Sequence, residues 1–176
     1  MISGRVTFLL GGARSGKSRM AQDLAEAQAG ELVFLATGQA FDVEMSDRIA
    51  RHQADRGPRW RTVECPLDLP AAIHAEARPG RVLLVDCLTL WASNLLLSDR
   101  DIEAASDALV AALAALPCPI LLVSNEVGMG IVPDNALARR FRDQAGRMNR
   151  QVAAVADRAV LVMAGLAVEL KPAPVL

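Results

Sequence analysis

Val6-Thr7-Phe8-Leu9-Leu10-Gly11-Gly12-Ala13-Arg14-Ser15-Gly16-Lys17-Ser18 decides the fold, because it joins an apolar strand to a complete G-x-x-x-x-G-K-S phosphate-binding loop. The glycines let the backbone turn so that its N–H groups converge on phosphate oxygens, and the helix that follows offers its positive N-terminal end. Lys17 is then placed to reach the β- and γ-phosphates, and Ser18 to ligate Mg²⁺. The flanks fit the same reading. Val6 to Leu10 is a short continuous apolar run of the kind that forms a buried parallel strand, and Met20, Leu24 and Ala27 recur at helical spacing up to a stop at Gly30. A glycine-rich turn with a chance lysine is the alternative. It explains neither flank.

Outward from this stretch, apolar runs alternate with helical patterns. Val6–Leu10, Glu31–Ala36, Val82–Val85, Ile120–Val123 and Val160–Met163 read as strands, and Asp42–Asp55, Leu69–Ala77, Asp101–Leu116 and Asn135–Ala156 read as helices. That order is the signature of βαβ units: an α/β fold with a mainly parallel sheet covered by helices on both faces. Pro117 ends the third helix, and Pro172 and Pro174 suggest a loose C-terminal tail. No internal repeat or low-complexity tract interrupts the pattern, and residues 1–176 read as one domain.

Composition narrows the partners. The formal net charge is −1, so no global basic field draws nucleic acid or anionic lipid, and with aromatics at 3% and tyrosine absent there is no base-stacking platform. The hydrophobic fraction is 52%, yet no apolar stretch approaches the roughly 18 residues that span a bilayer. It fits a sheet buried on both faces instead. Cys65, Cys87 and Cys118 are scattered and odd in number, which argues against a disulfide framework or a structural zinc site and for small buried hydrophobes in a reducing cytoplasm. The N-terminus reads as strand rather than signal peptide.

In open α/β sheets ligands sit at the carboxyl ends of strands. After the first four runs come, in turn, the phosphate loop, Thr37-Gly38-Gln39, Asp86 and Ser124-Asn125-Glu126. Asp86 closes Val82-Leu83-Leu84-Val85-Asp86, and a carboxylate there can hold Mg²⁺ or its water shell opposite Ser18. Asn125 and Glu126 could position a substrate hydroxyl or a metal, or merely cap the strand end. Within the segment Asp42 to Arg56, helical spacing sets Arg48, His52 and Arg56 on adjacent turns of one side. Two readings of that row stand: a neutral imidazole between phosphate-gripping guanidinium groups, which suits a nucleophile toward phosphorus, or the commoner solvated charged helix. Arg139, Arg140, Arg142, Arg147 and Arg150 are a second basic row, read either as phosphate grips or as a solvated face. His74 is given no role, and Trp60 and Trp91 read as core or interface anchors.

Taken together these blocks resemble the bifunctional adenosylcobinamide kinase and adenosylcobinamide-phosphate guanylyltransferase family of cobalamin synthesis. The resemblance runs nearly end to end. It rests on Gly11 to Ser18, Asp42-x-Glu44-Met45-x-x-Arg48-Ile49-x-x-His52, Trp60-x-Thr62-x-Glu64, Asp86-Cys87-Leu88-Thr89-Leu90-Trp91, Ser124-Asn125-Glu126-Val127-Gly128-x-Gly130-Ile131-Val132-Pro133, Arg140-Phe141-Arg142-Asp143 and Gly146-x-x-Asn149. It implies a RecA-type P-loop fold and a two-step enzyme. The first step phosphorylates adenosylcobinamide with ATP or GTP; the second transfers GMP from GTP to that phosphate through a guanylylated histidine, matched here by His52, leaving adenosylcobinamide-GDP and pyrophosphate. By the same resemblance, guanine-nucleotide contacts come from Gly11, Gly12, Ala13, Arg14, Ser15, Gly16, Lys17 and Ser18, from Ala36, Thr37 and Gly38, from Gln53, Ala54, Asp55 and Arg56, and from Glu64 and Asp86. The family often has Ser at the position of Gly38. A homo-oligomer is implied as well, with Trp91 or the Leu95-Leu96-Leu97 run at subunit contacts. A kinase of another small metabolite would have no use for the Arg48-His52-Arg56 row, and a nucleotide-driven switch would show slow phosphate release without any acceptor.

Overall fold

The computed structural model describes residues 5–39 and 57–172. The helix read over Asp42–Asp55, with His52, Gln53, Ala54, Asp55 and Arg56, lies outside the described residues. Seven strands form one sheet in the order β3-β2-β4-β5-β1-β6-β7, with β1 Val6–Gly11, β2 Glu31–Ala36, β3 Trp60–Glu64, β4 Arg81–Asp86, β5 Ile120–Asn125, β6 Arg158–Met163 and β7 Leu166–Lys171. Every pairing is parallel except the last, β6 with β7. The five helices among the described residues are α1 Lys17–Glu26, α2 Leu69–Glu76, α3 Leu88–Leu97, α4 Ile102–Ala114 and α5 Ala136–Val155.

The central strands are apolar along their whole length because both faces are covered. On one face Leu9, Leu32, Phe34, Leu84, Leu121 and Val123 pack with Ala21 and Ala25 of α1. On the other, Phe8, Val33, Leu35, Leu83, Val85 and Leu122 pack with Leu69 and Ile73 of α2, Trp91 of α3, Leu109 of α4 and Met148 and Val152 of α5. Small residues on α1 let that helix lie close over β1, β4 and β5, bringing its N-terminus to the carboxyl end of β1.

Several elements differ from the sequence expectation. Helix α1 ends at Glu26, earlier than the stop read at Gly30, and Gly30 with φ of 122° instead turns the chain into β2. Strand β7, for which the sequence gives no expectation, pairs with β6 and leads up to Pro172, and the tail expected from Pro174 onward lies outside the described residues. The expected placement of Trp91 and Leu95 at subunit contacts does not hold. Helix α3 lies flat on the sheet, so Trp91 is fully buried with its indole N–H on the Leu67 carbonyl at 2.8 Å, Leu95 is buried beside it, and of that leucine run Leu97 alone is largely exposed.

Candidate nucleotide site

The loop after β1 is shaped by two glycines that nothing else can replace. An added Cβ on Gly11 would lie 2.3 Å from the Val162 carbonyl oxygen of β6 and 2.7 Å from Ser15 Oγ. Gly16 takes φ of 94° at the N-cap of α1, a left-handed conformation that side chains resist. Among the described residues no side chain caps α1, so its first N–H groups are left to whatever the loop encloses. The turn of the β6–β7 hairpin braces the loop from outside, the Gly165 N–H donating to the Ser15 carbonyl at 2.9 Å. Lys17 is buried, and its ammonium donates to the Gly12 carbonyl at 3.1 Å, folded back along the loop where phosphate oxygens would replace that acceptor.

Strand register lines up the remaining candidates. Glu64 of β3 pairs with Ala36 of β2, which pairs with Asp86 of β4, so three of the nucleotide contacts implied by the resemblance fall on one line across the carboxyl edge. Asp86 is level with Val123 of β5, and Gly11 with Asn125, which sets the carboxylate two strands over, with β5 between, and two residues short of the loop's first glycine. Thr37 is buried at this edge. Its hydroxyl donates to the Cys87 carbonyl and accepts from the Cys87 N–H, both at 2.8 Å, so it fixes the chain just after Asp86 instead of presenting a free hydroxyl. Gly38 follows, half-buried.

Thr89, Ser124 and Asn149, which sequence reading quoted only as part of longer blocks, form a closed polar ring with Asn125 at the strand ends. Asn125 N–H donates to Thr89 Oγ1 at 2.6 Å, the Thr89 hydroxyl meets Ser124 Oγ at 3.2 Å, Ser124 donates to Asn149 Oδ1 at 2.7 Å, and Asn149 Nδ2 donates to the Asn125 carbonyl at 3.1 Å. Because Ser124 spends its proton on Asn149, Thr89 must be the donor to Ser124. The ring ties α3, β5 and α5 together at the strand ends. A Thr or Asn within an apolar helix is the signal that could have found it. Asn125 Oδ1 is buried without a hydrogen-bond partner among the described residues, as is Ser15 Oγ in the phosphate loop, so two of the three such atoms flank the loop. Glu126 is committed: its N–H donates to the Gly11 carbonyl at 3.1 Å and its Oε1 accepts from the Gly128 N–H at 2.6 Å, which is the strand-end capping role.

Magnesium was expected on Ser18 and Asp86. Among the described residues no group of three or more His, Cys, Asp and Glu could hold a metal by itself. A hydroxyl and a carboxylate suit magnesium that also takes phosphate oxygens and water, and the Ser18 hydroxyl has no hydrogen bond among the described residues. The three thiols are free and buried. Burial pushes Cys65 up to about 12, and burial with the nearby Asp86 carboxylate pushes Cys87 up to about 11. They are packing residues, not nucleophiles.

A parallel sheet in this strand order, with the phosphate loop after β1 and an acid after β4, defines a P-loop nucleotide-binding protein of the RecA-like kind. Solved structures of that architecture superpose with low identity: the type III secretion ATPase EscN of enteropathogenic E. coli (TM-score 0.59, 12% identity, 92% of this chain and 43% of that one), and a prototypical type III secretion ATPase of pathogenic bacteria (TM-score 0.58, 14% identity, 94% and 57%). The chain spans about half the length of those ATPases. Within the class, the chain belongs to the cobinamide kinase / cobinamide phosphate guanyltransferase family, which it matches over residues 7–170. It is 48% identical over 169 residues to the bifunctional adenosylcobalamin biosynthesis protein CobP of Pseudomonas aeruginosa, covering 95% of this chain and 98% of that one. It is 43% identical to the bifunctional adenosylcobalamin biosynthesis protein CobU of Escherichia coli, covering 93% and 98%.

Proposed function

We propose that this chain, as a single domain over residues 1–176, phosphorylates adenosylcobinamide with ATP or GTP and then transfers GMP from GTP to the new phosphate, giving adenosylcobinamide-GDP and pyrophosphate. Family membership supports the reaction, and the phosphate loop facing the carboxyl ends of β4 and β5 is the observation that carries the site. In the first step the acceptor hydroxyl attacks the γ-phosphorus, the bond to the β-phosphate oxygen breaks, and Lys17 with the N–H groups of Gly12 to Ser18 holds the charge that develops. Ser18 and Asp86 would hold magnesium, which would supply positive charge against the phosphates. Ala36, Thr37, Gly38 and Glu64 line the nucleotide along the sheet edge, and Gln53 to Arg56 complete it.

In the second step a His52 imidazole nitrogen attacks the α-phosphorus of GTP, pyrophosphate leaves, and a phosphoramidate forms. A phosphate oxygen of the acceptor then attacks that phosphorus, breaking the P–N bond and returning His52. The enzyme acts in the cytoplasm, a reading supported by three unpaired buried thiols. It acts as a homo-oligomer, a reading supported by the exposed Leu166, Val168 and Leu170 along the edge strand β7. No helix among the described residues is long and apolar enough to cross a membrane.

The test is product identity. Incubation with adenosylcobinamide and GTP yields adenosylcobinamide-GDP by mass, and GTP labelled at the α-phosphate labels the protein through an acid-labile, base-stable bond that His52→Ala removes and His74→Ala retains. GTP affinity is measured in both variants. Retention of the label in His52→Ala overturns the assigned nucleophile, and phosphate release without any acceptor or corrinoid product overturns the reaction.

A further inference from the structure

Beyond the carboxyl edge of β5 the chain opens a second cavity, of about 380 Å³, lined by Gly128, Arg142, Asp143, Gly146, Arg147 and Arg150. Three guanidinium groups face one carboxylate there. Asp143 is taken by Arg142, whose Nη2 lies 3.1 Å from its Oδ1. Arg147 and Arg150 have no hydrogen bond or ion pair among the described residues, so the cavity carries an unanswered positive charge in a fixed helical array. The same helix carries a glycine in its interior. Gly146 weakens α5, and no packing among the described residues demands it, since an added Cβ would meet nothing within 4 Å there. What the glycine does is leave open space in the cavity between the arginines. A third observation concerns the chain that leaves the pocket. From Gly128, which lines it, the chain continues into Met129, Ile131 and Val132, which are 77%, 98% and 62% exposed. Exposed apolar residues next in sequence to a cationic pocket suit a ligand with a phosphate on a large body.

The location relates this cavity to the chemistry. Glu126 joins the phosphate loop through Gly11 and the pocket through Gly128, and Asn149, one helical turn from Gly146, closes the polar ring under the strand ends. Donor nucleotide and pocket therefore share the same edge of the sheet. We propose that this pocket receives the phosphate monoester of the phosphorylated corrinoid, the acceptor of the second step, with Arg147 and Arg150 forking the phosphate oxygens and the exposed Met129–Val132 segment that follows Gly128 against the macrocycle. The assignment rests on the function proposed above. A monoester dianion between two planar guanidinium groups gains paired, charge-assisted hydrogen bonds that the unphosphorylated corrinoid cannot make.

Equilibrium dialysis tests it, with GDP and magnesium present to fill the phosphate loop and the corrinoid followed by its visible absorbance. The wild type binds the phosphorylated corrinoid at least about tenfold more tightly than the unphosphorylated one, a preference that weakens with added salt. Arg147→Gln with Arg150→Gln erases the preference, and the corresponding double lysine variant restores part of it because charge remains without the fork. Both positions are exposed and unpaired, so thermal melts of these variants match the wild type. Gly146→Leu, which fills the cavity without touching its charge, also erases the preference. A double glutamine variant that keeps the tenfold preference overturns the assignment, as does one that loses both corrinoids equally. Failure of the functional reading is seen separately, as a wild-type protein that makes no adenosylcobinamide-GDP.

Discussion

Two adjacent glycines in the phosphate loop separate the fold's demands from the ligand's. A methyl group on Gly11 would lie 2.3 Å from the Val162 carbonyl oxygen, about 1 Å inside ordinary contact, and both atoms belong to paired strands at the centre of the sheet. Neither partner is the end of a flexible side chain, so β1 or β6 must move. Overpacking of this kind costs about 1–3 kcal/mol, which for a chain of this size lowers the melting temperature by about 2–12 °C. A shift of that order at the root of the loop also misaims the N–H groups beyond it, and nucleotide affinity falls with stability. Gly12 is the control. A methyl group there meets nothing within 4 Å among the described residues, and its φ is not in the left-handed region, so Gly12→Ala leaves the melt unchanged or raises it by a degree or two. GTP affinity still drops in Gly12→Ala where the backbone approaches phosphate closely. Urea and thermal melts with GTP titration of both variants decide the matter. A Gly11→Ala protein as stable as the wild type refutes the packing argument, and full GTP affinity in Gly12→Ala refutes close approach of phosphate at that residue.

Three further outcomes follow from the described geometry. Asp86→Asn raises the magnesium concentration needed for half-maximal kinase activity about tenfold, and turnover that needs no divalent metal contradicts the assignment of Ser18 and Asp86. Asn149→Ala opens the polar ring, leaving Ser124 Oγ and the Asn125 carbonyl short of partners, and costs about 2–4 kcal/mol in urea unfolding; a loss under about 0.5 kcal/mol contradicts the ring's structural role. Glu76 links Arg61 of β3 and Arg81 of β4, and the hydrogen bond from Arg61 holds its carboxyl below the ordinary 4.5. Its stabilisation is therefore full above about that pH and is lost as pH falls through the depressed folded value, so the melting-temperature gap between wild type and Glu76→Gln closes in acid.

What could be read in advance was whatever is encoded locally. The phosphate loop, Asp86 at the end of its apolar run and the five strands β1, β2, β4, β5 and β6 are contiguous in sequence, and burial on both faces makes each of these strands a short unbroken apolar run. Three elements escaped because their patterns are ambiguous in one dimension. Leu88–Leu97 is apolar on nearly every side, so no helical stripe marks it as α3. Trp60–Glu64 and Leu166–Lys171 are edge strands whose outward faces hold Arg, Thr, Glu and Lys, and they take their strand identity from the neighbour they pair with.

The site divides along the same line. Nothing in the spacing of Ala36, Glu64 and Asp86 reveals that they stand abreast, because that alignment is a property of register between β2, β3 and β4, set by the pairing of Leu32 with Trp60 and with Val82. A slip of one residue in either pairing would turn every side chain of the strand over and carry its last residue off the line. The buried faces forbid that slip: Leu32 and Leu35 point into opposite cores, and each would trade places with a residue fitted to the other side. Packing therefore fixes the lateral geometry of the nucleotide edge, while the loop sequence fixes its chemistry. The arginine row of α5 shows the cost of reading only the second. As a string it is an ordinary solvated face; only the fold sets Gly128 beside it and closes the cavity that gives those charges something to hold.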